Sequence, residues 1–302
     1  MDFGLTDDQQ LLTTSFEALL QQHREAPQGV HGFVAFSETL QAELAASGYF
    51  EVAAQEGFGP LEAALLAEEA ATCPVSAEVA QSALIGPLLG DAALPVAVAW
   101  GLGQPVRFLP QAGTVCLFES DGVTVGVPGE WDAADSVAAY PLGILRSMGD
   151  GPHRFTGERA ADIRRRALVA IAAEAAGLMR GALDLTVAYV KERQQFGQPL
   201  GNFQAIQHRL AECAQVTRAA RNLAFKAAFL DEDRAAATAC LYAQEAARQV
   251  IYDCHQFHGA MGLTLEYPLH LWTYRLKLLQ GEAGGKQAQA ASLAEHIWPE
   301  RG

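Results

Sequence analysis

The sequence predicts a mostly α-helical chain with a small β-rich part in its middle. Three observations carry that expectation. Apolar residues recur at helical spacing through the first part of the chain. Short β-rich runs bounded by Gly, Pro and Asp fill the stretch from about Ala92 to Gly151. From about Ala160 onward the helical spacing returns, over much longer segments. The expected organisation is an N-terminal helical domain over 1–91, a small β-domain over 92–159, and a C-terminal helical bundle, of four-helix type, over 160–302.

The elements follow in order. Thr6-Asp7-Asp8-Gln9 fits a capping box, in which a hydroxyl and an amide satisfy free backbone donors. Leu11, Leu12, Phe16, Leu19 and Leu20 then fall on one helical face. Similar patterns run from Ser37 to Ser47, from Pro60 to Thr72 and from Ser76 to Leu89, with Pro60 suited to a first helical turn and Gly48 and Gly90 to helix ends. "VAVAW", "VRFLP", "TVCLFES" and "VTVGVPG" read as strands of one small sheet of about five or six strands, with "SDG" as a hairpin turn. Long helices are expected over 160–193, 203–230, 233–258, 267–280 and 286–297. At ~1.5 Å per residue the second and third are each about 40 Å long, and short connections favour an antiparallel bundle.

Composition narrows the class. A chain of 302 residues, 50% of them apolar, can bury a large core and divide into two or three domains. Thirty-five acidic against 21 basic residues give a net charge of −14, which argues against nucleic acid or an anionic membrane as the main partner. No basic start followed by an apolar run suggests a secretory signal, and no stretch has the roughly 18 apolar residues of a bilayer span. The five cysteines, Cys73, Cys116, Cys213, Cys240 and Cys254, are scattered and lack CxxC spacing, as suits buried thiols in a reducing cytoplasm.

Two interruptions of the helical pattern carry the candidate chemistry. In "YVKERQQFGQPLGNFQAIQHRLAE", residues 189–212, Arg193 ends one helix beside a Phe-Gly break. A guanidinium there offers a fork of donors suited to a diphosphate. Gln195 adds a neutral donor and acceptor, Phe196 a flat apolar face, and Phe203 and Gln204 open the next helix. A plain bundle corner fits the same letters, with Arg193 in a surface ion pair and both phenylalanines in the core. In "CHQFHGAMGLTLEYP", residues 254–268, Gly259 and Gly262 end a long helix, Glu266-Tyr267-Pro268 begins the next, and Gln256 lies one turn before the break. Small residues here let a ligand or backbone come close, though a glycine stop is also an ordinary helix end. His255 and His258 lack the acidic or cysteine partners of a metal site. "QGEAGGK", residues 280–286, fails as a phosphate loop: a glycine is missing, and Gln287 stands where Ser or Thr would hold magnesium.

Together, "RQQFGQPLGNFQAIQHRLAE" and "QFHGAMGLTLEYP" closely resemble the C-terminal domain of acyl-CoA dehydrogenases. "MDFGLTDDQQLL" and "GFGPLEAALLAEEAA" are similar to that family's N-terminal helical domain. The resemblance spans most of the chain and implies FAD-dependent oxidation of the Cα–Cβ bond of an acyl-CoA thioester. A glutamate takes the α-proton and the β-hydrogen leaves as hydride. It also implies a flavin lying across a subunit interface. On that pattern Arg193, Gln195 and Phe196 meet the diphosphate side, Phe203 and Gln204 follow, and Gln256, Gly259 and Ala260 approach the other end of the dinucleotide. Ala260 stands where the family usually has a second glycine.

Two departures shape the expected role. Nothing between Leu94 and Arg159 resembles the family's Thr-Glu-Pro flavin cradle and the Ser-Asp stretch after it, so the β-domain is reduced. The base position is also altered. In "LLQGEAGG" the equivalent falls on Gln280, Glu282 or Ala283, and on the first bundle helix it falls on Ala167. Glu282 and Glu174 keep carboxylates nearby, as bases or as solvated or structural charges. The diphosphate grip survives while cradle and base do not. This resembles the non-catalytic subunit of heteromeric α2β2 bacterial acyl-CoA dehydrogenases of steroid side-chain degradation. The implied partner is a homologous catalytic subunit that binds most of the acyl-CoA and shares the FAD. The alternatives are a self-sufficient homomeric dehydrogenase using Glu282 or Glu174, and a non-enzymatic scaffold of the same fold.

Overall fold

A computed structural model of the chain describes residues 4–25 and 34–298, the side chain of His296 excepted. The chain opens with α1 (Asp7–Leu20), α2 (Glu38–Ala46), α3 (Pro60–Ala71) and α4 (Ala80–Ile85). Thr6 caps α1 through the expected box: its hydroxyl accepts from Gln9 N–H at 3.3 Å, and the Gln9 amide oxygen accepts from Thr6 N–H at 3.0 Å. Phe16 and Leu20 are buried and Leu12 and Leu19 pack beside them, but Leu11 is 69% exposed and does not share that face. The expected helix from Ser76 shortens to α4 and a 3-10 turn over Gly86–Leu88. Ser76 instead bridges Phe36 as extended chain, and Pro87 enters the last turn.

Seven strands follow: β1 (Val96–Ala99), β2 (Pro105–Arg107), β3 (Thr114–Glu119), β4 (Gly122–Gly126), β5 (Trp131–Ala134), β6 (Leu142–Leu145) and β7 (His153–Phe155). They form two sheets where one was expected, in the orders β1-β3-β4-β7 and β2-β6-β5. The β1–β3 pair is parallel and the remaining pairs are antiparallel. Ser120 and Asp121 make the expected hairpin turn, with Glu119 paired to Gly122. "WDAA" and "HRF" escaped the sequence reading because these strands are largely exposed and carry no apolar run.

The rest is helical: α5 (Gly157–Glu192), α6 (Gln204–Leu230), α7 (Asp233–His258), α8 (His270–Leu279) and α9 (Gly285–Ile297). α5 is buried from Ala167 to Leu183 apart from half-buried Arg180 and packs against α3, α6, α7 and α8, so one continuous core joins the first helices to the bundle. Gly259–Leu263 forms a 3-10 turn, and α8 starts later than expected, after the turn that holds Pro268 and Leu269. All five cysteines are free and buried, and burial pushes the thiols of Cys73 and Cys116 up to about 11 and about 12. Among the described residues no helix is long and apolar enough to cross a membrane.

Candidate functional site

α5 stops at Glu192 because Arg193 takes up extended backbone, φ −68° and ψ 116°, while its N–H still bonds to Tyr189 O at 2.8 Å. The next residues form a small hairpin that the sequence did not suggest: β8 (Gln194–Gln195) pairs with β9 (Gln198–Pro199). Phe196 (φ 55°) and Gly197 (φ 81°) hold the two turn positions. Left-handed backbone at both is the geometry that follows strand twist in a two-residue hairpin; glycine adopts it freely and phenylalanine at a cost. Leu200 N–H closes the turn on Arg193 O at 2.8 Å. Phe196 is 89% exposed and its ring stands edge-on to the half-buried Phe203, centroids 6.2 Å apart. The corner reading with both rings in the core is therefore wrong. Arg193, Gln195 and Gln204 are exposed, and Arg193 has no ion pair among the described residues.

The second interruption lies at the same end of the bundle. Tyr189, one turn before Arg193, stacks on His258 with centroids 4.4 Å apart. α7 ends there on Gly259, at φ 58° and ψ −138°, a conformation reserved for glycine, and a Cβ at that position would meet nothing within 4 Å. Gln256, Gly259 and Ala260 are exposed, and Ala260 needs no positive φ. Gln256 and Gly259 line a groove of about 1080 Å³ along α7, with Arg209, Arg248 and Lys277 beside them; the Arg193 turn does not line it. Arg209 is shared between Glu212 and Asp253, whereas Arg248 and Lys277 have no ion pair among the described residues. His255 and His258 are taken up in packing: His255 Nε2 lies 3.0 Å from Thr273 Oγ1, His258 Nδ1 lies 2.7 Å from Cys254 O, and burial lowers both pKa values.

The glycine-rich turn before α9 closes on itself. The Gln244 amide donates to Leu279 O (2.9 Å) and Glu282 O (3.0 Å), Gln280 donates to Gln244 O (3.0 Å), and Gln289 donates to Ala283 O (2.9 Å). Glutamine side chains thus tie down its carbonyls and fix the turn as a structural closure of the bundle.

Both candidate bases lie inside the molecule and share one cation. Arg107, at the end of β2, is 3% exposed. Its Nη1 is 2.8 Å from Glu174 Oε2, and its Nε donates to Glu282 Oε1 at 2.7 Å. Tyr140 O–H donates to the other oxygen of Glu174 at 2.7 Å. Burial opposes the charge of Arg107, but Glu174 and Glu282 outweigh it and hold the guanidinium protonated; burial pushes the Glu282 carboxyl up against the pull of Arg107. The carboxylates are structural charges and not solvated ones. Ala167, the other base position, is fully buried. The cavity touching Glu174 and Arg275 has about 10 Å³, no more than roughly one water.

Glu78 borders this cluster. It accepts from Gln81 N–H and Ser82 N–H, each at 2.8 Å, and its carboxyl is pushed up to about 7, chiefly by burial, against the pull of Arg107. A carboxyl with a raised folded pKa contributes its stability fully below the unfolded pKa, near 4.5, and loses it as pH rises through about 7. That swing is on the order of 3 kcal/mol. The melting temperature of Glu78→Gln, measured against the unaltered chain, is therefore expected to gain between about pH 5 and pH 8. An equal difference at both ends of that range would show that Glu78 does not titrate there.

Sequence reasoning missed Arg107, Tyr140, Glu78 and the groove cations. Arg107 sits in "PVRFLP", and only the oddity of a charge between Val106 and Phe108 in a strand could have marked it.

Residues 165–298 match the family described as acyl-CoA dehydrogenase, C-terminal domain. The acyl-CoA dehydrogenase FadE34 of Mycobacterium tuberculosis is 32% identical over 286 residues, covering 81% of this chain and 40% of that protein. The acyl-CoA dehydrogenase IpdE2 of the same organism is 39% identical over 109 residues, 36% of this chain and 34% of that one. The chain thus spans less than half the length of these curated relatives. Among solved structures, a variant of the Tcur3481-Tcur3483 steroid ACAD is 25% identical with a TM-score of 0.79, over 96% of this chain and 98% of that one. The ChsE4-ChsE5 complex from Mycobacterium tuberculosis, 20% identical, has a similar fold with a TM-score of 0.81 over the full length of both chains.

Proposed function

The chain belongs to the acyl-CoA dehydrogenase family, and from that premise we propose that it is the non-catalytic subunit of a heteromeric, FAD-dependent acyl-CoA dehydrogenase. The observation that carries the proposal is a contrast inside one chain. Both carboxylates that could act as a base are locked on buried Arg107, while Arg193 stands free and exposed at the end of α5. A dehydrogenase of this kind needs an accessible base at the acyl α-carbon. Here the partner subunit supplies it, together with the flavin ring's cradle and most of the acyl-CoA pocket.

The bundle end fits part of a dinucleotide. Arg193 offers charged donors and Gln195 a neutral one, both exposed. Gly259 offers bare backbone with open space above it. Phe196 is held left-handed at an exposed tip, with only an edge-on contact to Phe203 beside it among the described ring pairs, as at positions built to meet a ligand or partner. In this role Arg193, Gln195 and Phe196 face the diphosphate, with Phe203 and Gln204 behind them, and Gln256, Gly259 and Ala260 face the opposite end. The flavin, when bound, accepts the β-hydride of the acyl thioester. This chain's residues hold its phosphates and orient it. The likeness to a steroid ACAD and to a two-component complex supports a heteromeric, α2β2-like assembly acting on a steroid side-chain CoA ester.

The test is the visible spectrum. The chain purified alone is expected to be colourless, and the complex formed with its partner to be yellow. Stoichiometric FAD on the lone chain would refute the proposal.

A further inference from the structure

Arg107 joins three elements that are remote in sequence. It leaves β2, meets Glu174 on α5, and meets Glu282, 175 residues away, in the turn before α9. The rings of Phe108 and Tyr140 flank its guanidinium, with centroids 5.9 and 5.5 Å from Cζ. Arg275, itself 2% exposed, also lies over the Tyr140 ring, at 5.9 Å from its centroid, and donates to Pro74 O and, at 3.3 Å, to Cys73 O. Two carboxylates converging on one dry point form a cation site, and leaving them without a cation is strongly unfavourable. A surface ion pair does not need this arrangement. Here the cation comes from the chain itself, on the sheet side of the seam, while both anions come from the helical side.

We propose that Arg107 is an internal plug: its guanidinium fills a two-carboxylate site in the seam between the sheets and the bundle, pins β2 to α5 and to the Glu282 turn, and closes the seam to outside ligands. The plug is a property of this chain alone. Only its consequence, that flavin and acyl thioester are bound outside this seam, rests on the proposed subunit role.

A filled site predicts what an emptied one will accept. Arg107→Ala leaves a guanidinium-sized hole with Glu174 and Glu282 facing into it, so a small planar cation that donates in a fork should enter. A compact ammonium should not replace it, because it cannot bridge two carboxylates with the same geometry.

The experiment follows thermal unfolding of the full chain by circular dichroism. Arg107→Ala is expected to lower the midpoint by about 10 °C. Millimolar methylguanidinium should restore at least half of the loss in a saturable way, methylammonium or sodium chloride at equal ionic strength should restore little, and the unaltered chain should respond to none of them. Adding Glu174→Gln and Glu282→Gln to Arg107→Ala should abolish the methylguanidinium response. If Arg107→Ala does not fold, Arg107→Lys serves in its place. It keeps the charge but loses the bridge, so its midpoint should fall and should not respond to methylguanidinium, because the ammonium still occupies the site. A midpoint unchanged by either substitution, or recovery equal in sodium chloride and methylguanidinium, would overturn the plug. Those results would leave the subunit role standing. FAD on the unaltered lone chain would remove that role and, if the plug's signature persisted, leave the plug standing.

Discussion

Arg193→Ala is expected to strip flavin from the assembled complex without dissolving the complex. The side chain is exposed at a helix end and has no ion pair among the described residues, so its loss removes no contact that holds this chain together. The hairpin behind it is closed by backbone, through Leu200 N–H to Arg193 O, and survives the truncation. What goes is a forked cationic donor facing a diphosphate. Charge-assisted hydrogen bonds contribute roughly 1.5–3 kcal/mol each, and losing the net worth of two would weaken FAD by about a hundredfold or more. Gel filtration followed by the ratio of flavin to protein absorbance reads both halves of the expectation. Arg193→Lys should recover part of the binding, because the charge returns without the fork. A complex that keeps its full flavin content after Arg193→Ala would favour the scaffold role instead.

Phe196 tests the same grip differently, and its behaviour marks where sequence reasoning stops. The letters "QQFGQP" announce an interruption, and the structure has one there. They do not announce a hairpin of two-residue strands, because so few paired residues leave no periodicity to count. Long elements were legible for the opposite reason. α5, α6 and α7 each bury a stripe that repeats over many turns, so their spans emerge from spacing alone. β5 and β7 lie largely exposed and repeat nothing, and the division of the strands into two sheets depends on pairings that no local pattern encodes. The carboxylates show the limit most clearly. Glu174 and Glu282 were visible as residue types near the expected base, but a carboxylate's role depends on what faces it. The group that faces both is Arg107, 67 residues before one and 175 before the other. Burial of a charge is a long-range fact, and a linear reading assigns such a residue to the surface.

That limit gives the second large effect its meaning, since Glu282→Gln separates the two enzymatic roles by orders of magnitude. If Glu282 were the base of a self-sufficient dehydrogenase, the amide could not accept the α-proton, and turnover would fall by about 10²–10⁴. With Glu282 donating nothing but its charge to Arg107, turnover of the complex on an acyl-CoA should stay within about twofold. The cost should appear in stability. Arg107 would keep Glu174 at 2.8 Å but lose the negative charge facing its Nε, in an interior where an undercompensated guanidinium is poorly tolerated. Breaking a buried pair outright costs about 3–5 kcal/mol; one arm of a three-member cluster, replaced by an isosteric amide whose oxygen still accepts, should cost less than that. The expected signature is therefore a lower melting temperature with unchanged kcat and KM. The reverse pattern, lost turnover with unchanged melting, would make Glu282 a base and the chain an enzyme in its own right.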